Sequence, residues 1–187
     1  MTQHGFYVNM NECTGCRCCQ VACKEKHNLP IGALCRRVLD FEGGTFPDVW
    51  AASFSKGCNH CDDPVCLKNC PAAAYIKEEE YGFVLQDTTR CIGCKRCTQV
   101  CPYGVPIYIS QTDTVRKCDA CFDWVSNGLR PACVAACSTR CLQFGPIEDL
   151  MAEHASETLY KDSVFLPDSS ITNPNVLINL KSPLIKN

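Results

Sequence analysis

Residues 12–24, ECTGCRCCQVACK, lie over residues 90–102, RCIGCKRCTQVCP. Both stretches read C-x2-C-x2-C-x3-C, with a glycine before the second cysteine, Gly15 and Gly93. The repeat sets a register in which Cys13, Cys16, Cys19 and Cys23 align with Cys91, Cys94, Cys97 and Cys101. Cys18 falls opposite Arg96 and stands outside it. A second, looser pair of motifs lies between and after the two copies. CNHCDDPVCLKNC supplies Cys58, Cys61, Cys66 and Cys70, and CDACFDWVSNGLRPACVAAC supplies Cys118, Cys121, Cys133 and Cys137. Each carries a proline two positions before its third cysteine, Pro64 and Pro131, and ends in a C-x3-C step. Of 19 cysteines, only Cys18, Cys35 and Cys141 remain outside the four motifs.

At 19 in 187 residues, cysteine reaches the level at which its chemistry rather than core size holds a fold together. Disulfides fail as the explanation. The number is odd, no secretory segment is evident, and two-residue spacings suit a compact metal centre better than distant cross-links. A four-cysteine zinc site uses two separated C-x2-C pairs, whereas these motifs contain runs of three with a C-x3-C tail. A [4Fe-4S] cube needs four thiolates at tetrahedral corners. C-x2-C-x2-C wraps three of them from one tight loop, and the glycine relieves crowding where backbone passes close to sulfide. The fourth cysteine points away and ligates the other cluster of a pair, so the motifs are read two at a time. Four copies predict iron–sulfur chemistry.

The rest of the composition excludes more than it suggests. A net charge of −2 offers no electrostatic footprint for nucleic acid. No apolar stretch approaches the length of a transmembrane helix. Neither G-x-G-x-x-G nor a P-loop occurs, so no nucleotide site is expected. No nucleophile–base pair is evident, so no catalytic residue is proposed. The N-terminal MTQHGFYVNMNEC has no basic segment, apolar h-region or twin arginine, and no export signal of its own is expected.

The order of the motifs, the spacing of the fourth and the stretch GFVLQDTTRCIGCKRCTQVCPYGVPIY resemble the four-cluster iron–sulfur subunits of molybdopterin enzymes. The likeness is greatest to the electron-transfer (B) subunits of the dimethyl sulfoxide reductase family. It covers residues 5 to 150, and PDSSITNPNVLI resembles the family's extended C-terminal arm. The resemblance implies four [4Fe-4S] clusters. The implied ligand sets are Cys13, Cys16, Cys19 and Cys137; Cys118, Cys121, Cys133 and Cys23; Cys58, Cys61, Cys66 and Cys101; and Cys91, Cys94, Cys97 and Cys70. Some relatives replace one third-motif ligand by tryptophan and hold a [3Fe–4S] cluster there; here Cys91, Cys94 and Cys97 are all present. The implied partners are a molybdenum or tungsten molybdopterin catalytic subunit, toward the first and fourth motifs, and a quinone-reactive membrane subunit, toward the second and third. Location follows the partners: cytoplasmic, or exported together with one, and peripheral to the membrane. Ser138 and Cys141 depart from the family pattern, where proline and alanine are common.

The fold class expected is α+β: two ferredoxin-like bis-[4Fe-4S] halves with short helices and small β-ribbons, plus an extended C-terminal arm. Residues 1–52 and 113–146 form the first half and 53–112 the second; residues 147–187 form a helix and an arm for partner contact. Arg36 to Phe41 and Val49 to Phe54 alternate as a hairpin, Tyr81 to Gln86 reads as a strand, and residues 147–156 as a helix. Glu78 to Glu80 read as a solvated turn. The arm carries Val176, Leu177, Ile178, Leu184 and Ile185, which it is not expected to bury on itself. Cys35, on a strand, and Cys141, in a segment leading away from its motif, read as buried packing thiols. Arg17, Lys95, Arg96, Arg116 and Lys117 flank ligands and are candidates to tune a cluster, and His60 is a candidate donor to sulfur. His4, His27 and His154 have no motif context. Two other functions compete: a free-standing polyferredoxin shuttling electrons between soluble enzymes, and a structural zinc protein.

Overall fold

The computed structural model describes residues 2–186. The chain enters through strand β1 (His4–Asn9) and helix α1 (Cys18–Lys26), then the hairpin of β2 (Arg37–Thr45) and β3 (Asp48–Lys56). Helix α2 (Val65–Lys68), the hairpin of β4 (Tyr75–Lys77) and β5 (Val84–Gln86), and helix α3 (Arg96–Val100) follow. The hairpin of β6 (Ile107–Ile109) and β7 (Thr114–Arg116) leads to helices α4 (Phe122–Val125) and α5 (Ala132–Ala135). The chain ends with β8 (Leu142–Pro146), α6 (Ile147–Glu153), β9 (Leu159–Tyr160) and β10 (Val176–Asn179). This is a small mixed α/β structure, consistent with ferredoxin-like domains. Among the described residues no helix is long and apolar enough to cross a membrane.

Four strands form the largest sheet, in the order β8-β1-β10-β9. β1 runs antiparallel to β8 and parallel to β10, pairing Phe6 with Val176 and Val8 with Ile178. Side chains alternate across a strand, and both faces of this pair are covered. Phe6, Val8, Val176 and Ile178 join a core with Met10, Val38 and Phe54. Tyr7 and Leu177 face Ile147 and Leu150 of α6 instead. Continuous apolar runs are what a strand buried on both faces requires.

The C-terminal residues therefore differ from the expectation. Val176, Leu177 and Ile178 are at most 3% exposed and Leu184 5%; they are a strand and cap of the chain's own core, not an unburied arm. Backbone hydrogen bonds from Asp62 and Asp63 to Asn173 and Thr172 tie the same segment to the second cysteine loop. The β2–β3 hairpin forms as expected and is longer, because GGT and DVW also pair. The strand expected from Tyr81 starts only at Val84, since the Glu78 carboxylate accepts from the backbone of Glu80 and Tyr81 and makes a turn. The helix at 147 stops at Glu153. Cys35 lies in a bend before β2 rather than on the strand. The division expected after residue 52 falls inside β3, and that after 112 falls in the turn between β6 and β7.

Candidate iron–sulfur sites

The two repeated motifs fold alike. Gly15 and Gly93 take φ of 69° and 66°, a region glycine enters without steric cost. A Cβ at Gly93 would stand 2.5 Å from the Asp113 carbonyl oxygen, and one at Gly15 2.7 Å from Ser53 Oγ. The residue after the second cysteine is again left-handed, Arg17 at 63° and Lys95 at 60°, and each begins a helix. Two reversals within three residues turn the loop around a hollow. They also leave the third cysteine, Cys19 or Cys97, on the first turn of α1 or α3.

Three hollows are each ringed by four motif cysteines. Cys13, Cys16, Cys19 and Cys137 line the first; Cys58, Cys61, Cys66 and Cys101 the second; Cys70, Cys91, Cys94 and Cys97 the third. In each, a run of cysteines from one loop meets a single cysteine from a distant motif. Cys23, Cys118, Cys121 and Cys133 are each at most 5% exposed and lie near one another. Three of the four sets implied by the resemblance thus line one hollow each, and the residues of the remaining set are buried.

These surroundings suit an anionic metal centre. Burial pushes the thiols of Cys61 and Cys66 up to about 12 and Cys121 to about 11. As thiols they are neutral; a metal that takes them as thiolates releases those protons. Two buried cations sit among these sulfurs without a carboxylate partner among the described residues, Arg36 and Lys117. Nε and Nη2 of Arg36 have no hydrogen-bond partner among the described residues. A buried cation in that state is costly unless negative charge lies close. The donor set and the orphaned charge both fit iron–sulfur clusters.

The three cysteines outside the motifs separate cleanly. Cys18 is exposed at the start of α1, and Cys35 is buried. Cys141 is buried as expected, yet it lines the first hollow, with its sulfur 3.5 Å from that of Cys137. The β8 strand, pairing Leu142 with Val8, folds it back toward the motif that its sequence leaves. A hydrogen bond with Cys141 is the main cause that draws the Cys13 thiol down to about 6.

Of the expected tuning residues, Arg17, Lys95 and Arg96 line hollows but are exposed. Arg17 pairs with Asp40, and Lys95 Nζ lies 3.8 Å from the Tyr108 ring. Lys117 alone among them is buried. The His60 ring accepts the Val84 amide at Nδ1, so Nε2 carries the proton, and it reaches no sulfur among the described residues. Burial first, then the charges of Lys117, Lys77 and Arg36, hold that imidazole well below its usual pKa. Sequence reasoning missed three groups. Arg36 begins what looked like an ordinary half-exposed hairpin. Ser55 Oγ lies 3.3 Å from Cys19 Sγ. His27 Nε2 lies 3.7 Å from Cys121 Sγ and 3.4 Å from Asp119. Only packing between segments distant in sequence reveals these.

Residues 49–147 match the 4Fe-4S dicluster domain family. Over 185 residues, 95% of this chain and 88% of the relative, the sequence is 40% identical to the B polypeptide of anaerobic dimethyl sulfoxide reductase from Escherichia coli strain K12. It is 37% identical to the B polypeptide of the same enzyme from Haemophilus influenzae, covering 95% and 89%. It is 35% identical to the B polypeptide of sulfite dehydrogenase from Allochromatium vinosum, covering 80% and 71%. This protein belongs to the 4Fe-4S dicluster domain family, as an iron–sulfur electron-transfer subunit of the dimethyl sulfoxide reductase type.

Proposed function

We propose that the chain carries four [4Fe-4S] clusters, in the four cysteine sets above, and passes single electrons along them. The observation that carries this reading is the threefold recurrence of a hollow ringed by three cysteines of one motif and one of another. A ferredoxin exchanges its fourth ligand between neighbouring clusters in this way. The sets also fall into an order. Cys19 of the first acts on Cys133 of the fourth-motif set, and Cys118 of that set acts on Cys58 of the second. Tyr75 stands between Cys66 of the second and Cys97 and Cys91 of the third. The two end sets each expose one cysteine, Cys16 and Cys94, as suits entry and exit points.

The partners proposed are a molybdenum or tungsten molybdopterin catalytic subunit at the first-motif end and a quinone-reactive membrane subunit at the third-motif end. Two bis-cluster halves, and a peripheral location set by these partners, belong to the same proposal. What supports the partners is the named complexes to which the relatives belong. The chain itself makes and breaks no substrate bond.

One observation favours the runner-up, a free-standing polyferredoxin. The apolar C-terminal residues are buried in the chain's own sheet, so they supply no argument for a docking arm. Anaerobic affinity purification from the native host, with stoichiometric partners identified and molybdenum, tungsten, iron and zinc quantified, separates the two. A large partner with molybdenum or tungsten, and about four irons per cluster, is the expected result. The same iron in a chain that comes out alone favours the polyferredoxin.

A further inference from the structure

Buried cations do not occur evenly through this molecule. Arg36 is 1% exposed at the entrance to β2. Its Nη1 donates to the Ser55 carbonyl at 3.0 Å and to Ser55 Oγ at 3.2 Å, and the guanidinium stands 4.5 Å from the Phe6 ring centre. Nε and Nη2 find no partner among the described residues. Ser55 Oγ in turn lies 3.3 Å from Cys19 Sγ, and Cys133, Cys118 and Cys23 are the other sulfurs near the guanidinium. Cys19 belongs to the first set and the other three to the fourth-motif set, so Arg36 lies at the junction between those two.

Lys117 repeats the arrangement one junction further on. It is buried; its Nζ donates to the carbonyls of Val84 and Cys118 and lies 3.7 Å from Cys58 Sγ. The sulfurs acting on it are Cys58, Cys118 and Cys66, which belong to the second and fourth-motif sets. The junction between the second and third sets holds no buried cation among the described residues. Tyr75 fills it instead, beside Cys97 and Cys91 of the third set and Cys66 of the second.

A guanidinium cannot shed its proton in a protein, and hydrogen bonds to carbonyls do not neutralise it. Its counter-charge has to come from the sulfur sets on either side. A cluster with four thiolates is net negative, and a cation close to it favours the more negative, reduced form. In a buried site with little screening, one charge between two such groups acts on both.

We propose that Arg36 and Lys117 are internal counter-ions that set the reduction potentials of three of the four clusters. Arg36 raises the first and the fourth-motif clusters, Lys117 the fourth-motif and the second. The third cluster, beyond Tyr75, lies outside their reach and is set by its exposed surroundings. The fourth-motif cluster feels both charges. This rests on the four-cluster reading above.

The test is an EPR-monitored redox titration of the complex purified anaerobically, for the wild type, Arg36→Gln, Arg36→Lys and Lys117→Gln, with iron counted in each. In Arg36→Gln two midpoints should fall, each by at least tenfold in the one-electron equilibrium, about 59 mV. Arg36→Lys, which keeps the charge, should restore them. In Lys117→Gln two midpoints should fall, one of them shared with the first variant, and one midpoint should move in neither. Full iron with unmoved midpoints, or a lysine variant that behaves like glutamine, overturns the inference. Loss of iron from both glutamine variants assigns the charges to assembly and overturns it equally. Fewer than four clusters in the wild type removes the reading beneath it, and the wild-type iron count alone tells that failure apart.

Discussion

The Tyr7 hydroxyl donates to the Glu157 carboxylate at 2.6 Å, across 150 residues of chain. The same oxygen accepts from Asn179 Nδ2 at 2.6 Å, and the other lies 3.1 Å from His154 Nδ1. The His154 ring stacks on Tyr7 with centres 3.7 Å apart and planes 6° apart. One carboxylate thus joins β1, β10 and the turn after α6. It pins the C-terminal strand to the strand that leads into the first cysteine loop.

This clamp has a pH signature. Partial burial pushes the Glu157 carboxyl up, and hydrogen bonds from Tyr7, His154 and Asn179 outweigh it, so its pKa lies below the ordinary 4.5. A depressed carboxylate stabilises fully above its unfolded pKa and loses that contribution as pH falls through the folded one. Glu157→Gln should lower the protection of β10 amides by about 1 kcal/mol at pH 7, the worth of a typical hydrogen bond. The gap from wild type should close as pH falls below 4.5. Native-state hydrogen exchange across that range measures it.

Ile178 is 0% exposed and pairs with Val8 on one side and Tyr160 on the other. Ile178→Ala should cost about 2–5 kcal/mol by leaving a cavity in the core it shares with Phe6 and Val8. Thermal unfolding of the loaded complex, with and without its partners, would register the loss in both samples. A loss seen only with partners present would return the C-terminal residues to a docking role.

Cys18 and Cys16 are both exposed, yet only Cys16 lines a hollow. Cys18→Arg, which restores the pattern of the second copy, should keep the full iron content. Cys16→Ser should lose or convert one cluster. Iron quantification and low-temperature EPR of the two variants decide the register.

Cys141 is placed to donate a weak S–H hydrogen bond at the first site, 3.5 Å from Cys137. Hydrogen bonds to cluster sulfurs raise the potential. Cys141→Ala should therefore leave iron unchanged and lower one midpoint, with the other three unmoved in an EPR titration. Loss of a cluster in this variant would make Cys141 a ligand and unseat Cys137.

The motif loops were legible in the sequence because their geometry is local. Gly15, Arg17, Gly93 and Lys95 turn the chain within three residues, and the cysteine spacing follows directly from those turns. The β2–β3 hairpin was legible for a similar reason, since its strands are neighbours. Val176–Asn179 was not. VLIN after a polar, proline-punctuated stretch gives no sign of a parallel partner at residues 6–9, because parallel pairing is set by the whole crossover between the strands.

Sequence alone therefore pointed to the chemistry: four cysteine motifs in two repeating registers, and an iron–sulfur family. Tertiary structure decided what lies between the motifs. It buried the C-terminal strand against β1, turned Cys141 back toward Cys137, and sank Arg36 among Cys19, Cys23, Cys118 and Cys133. The physical reason is range. A ligand loop is specified by dihedral angles a few residues apart, whereas a buried charge is tolerated only where distant segments bring opposite charge to meet it.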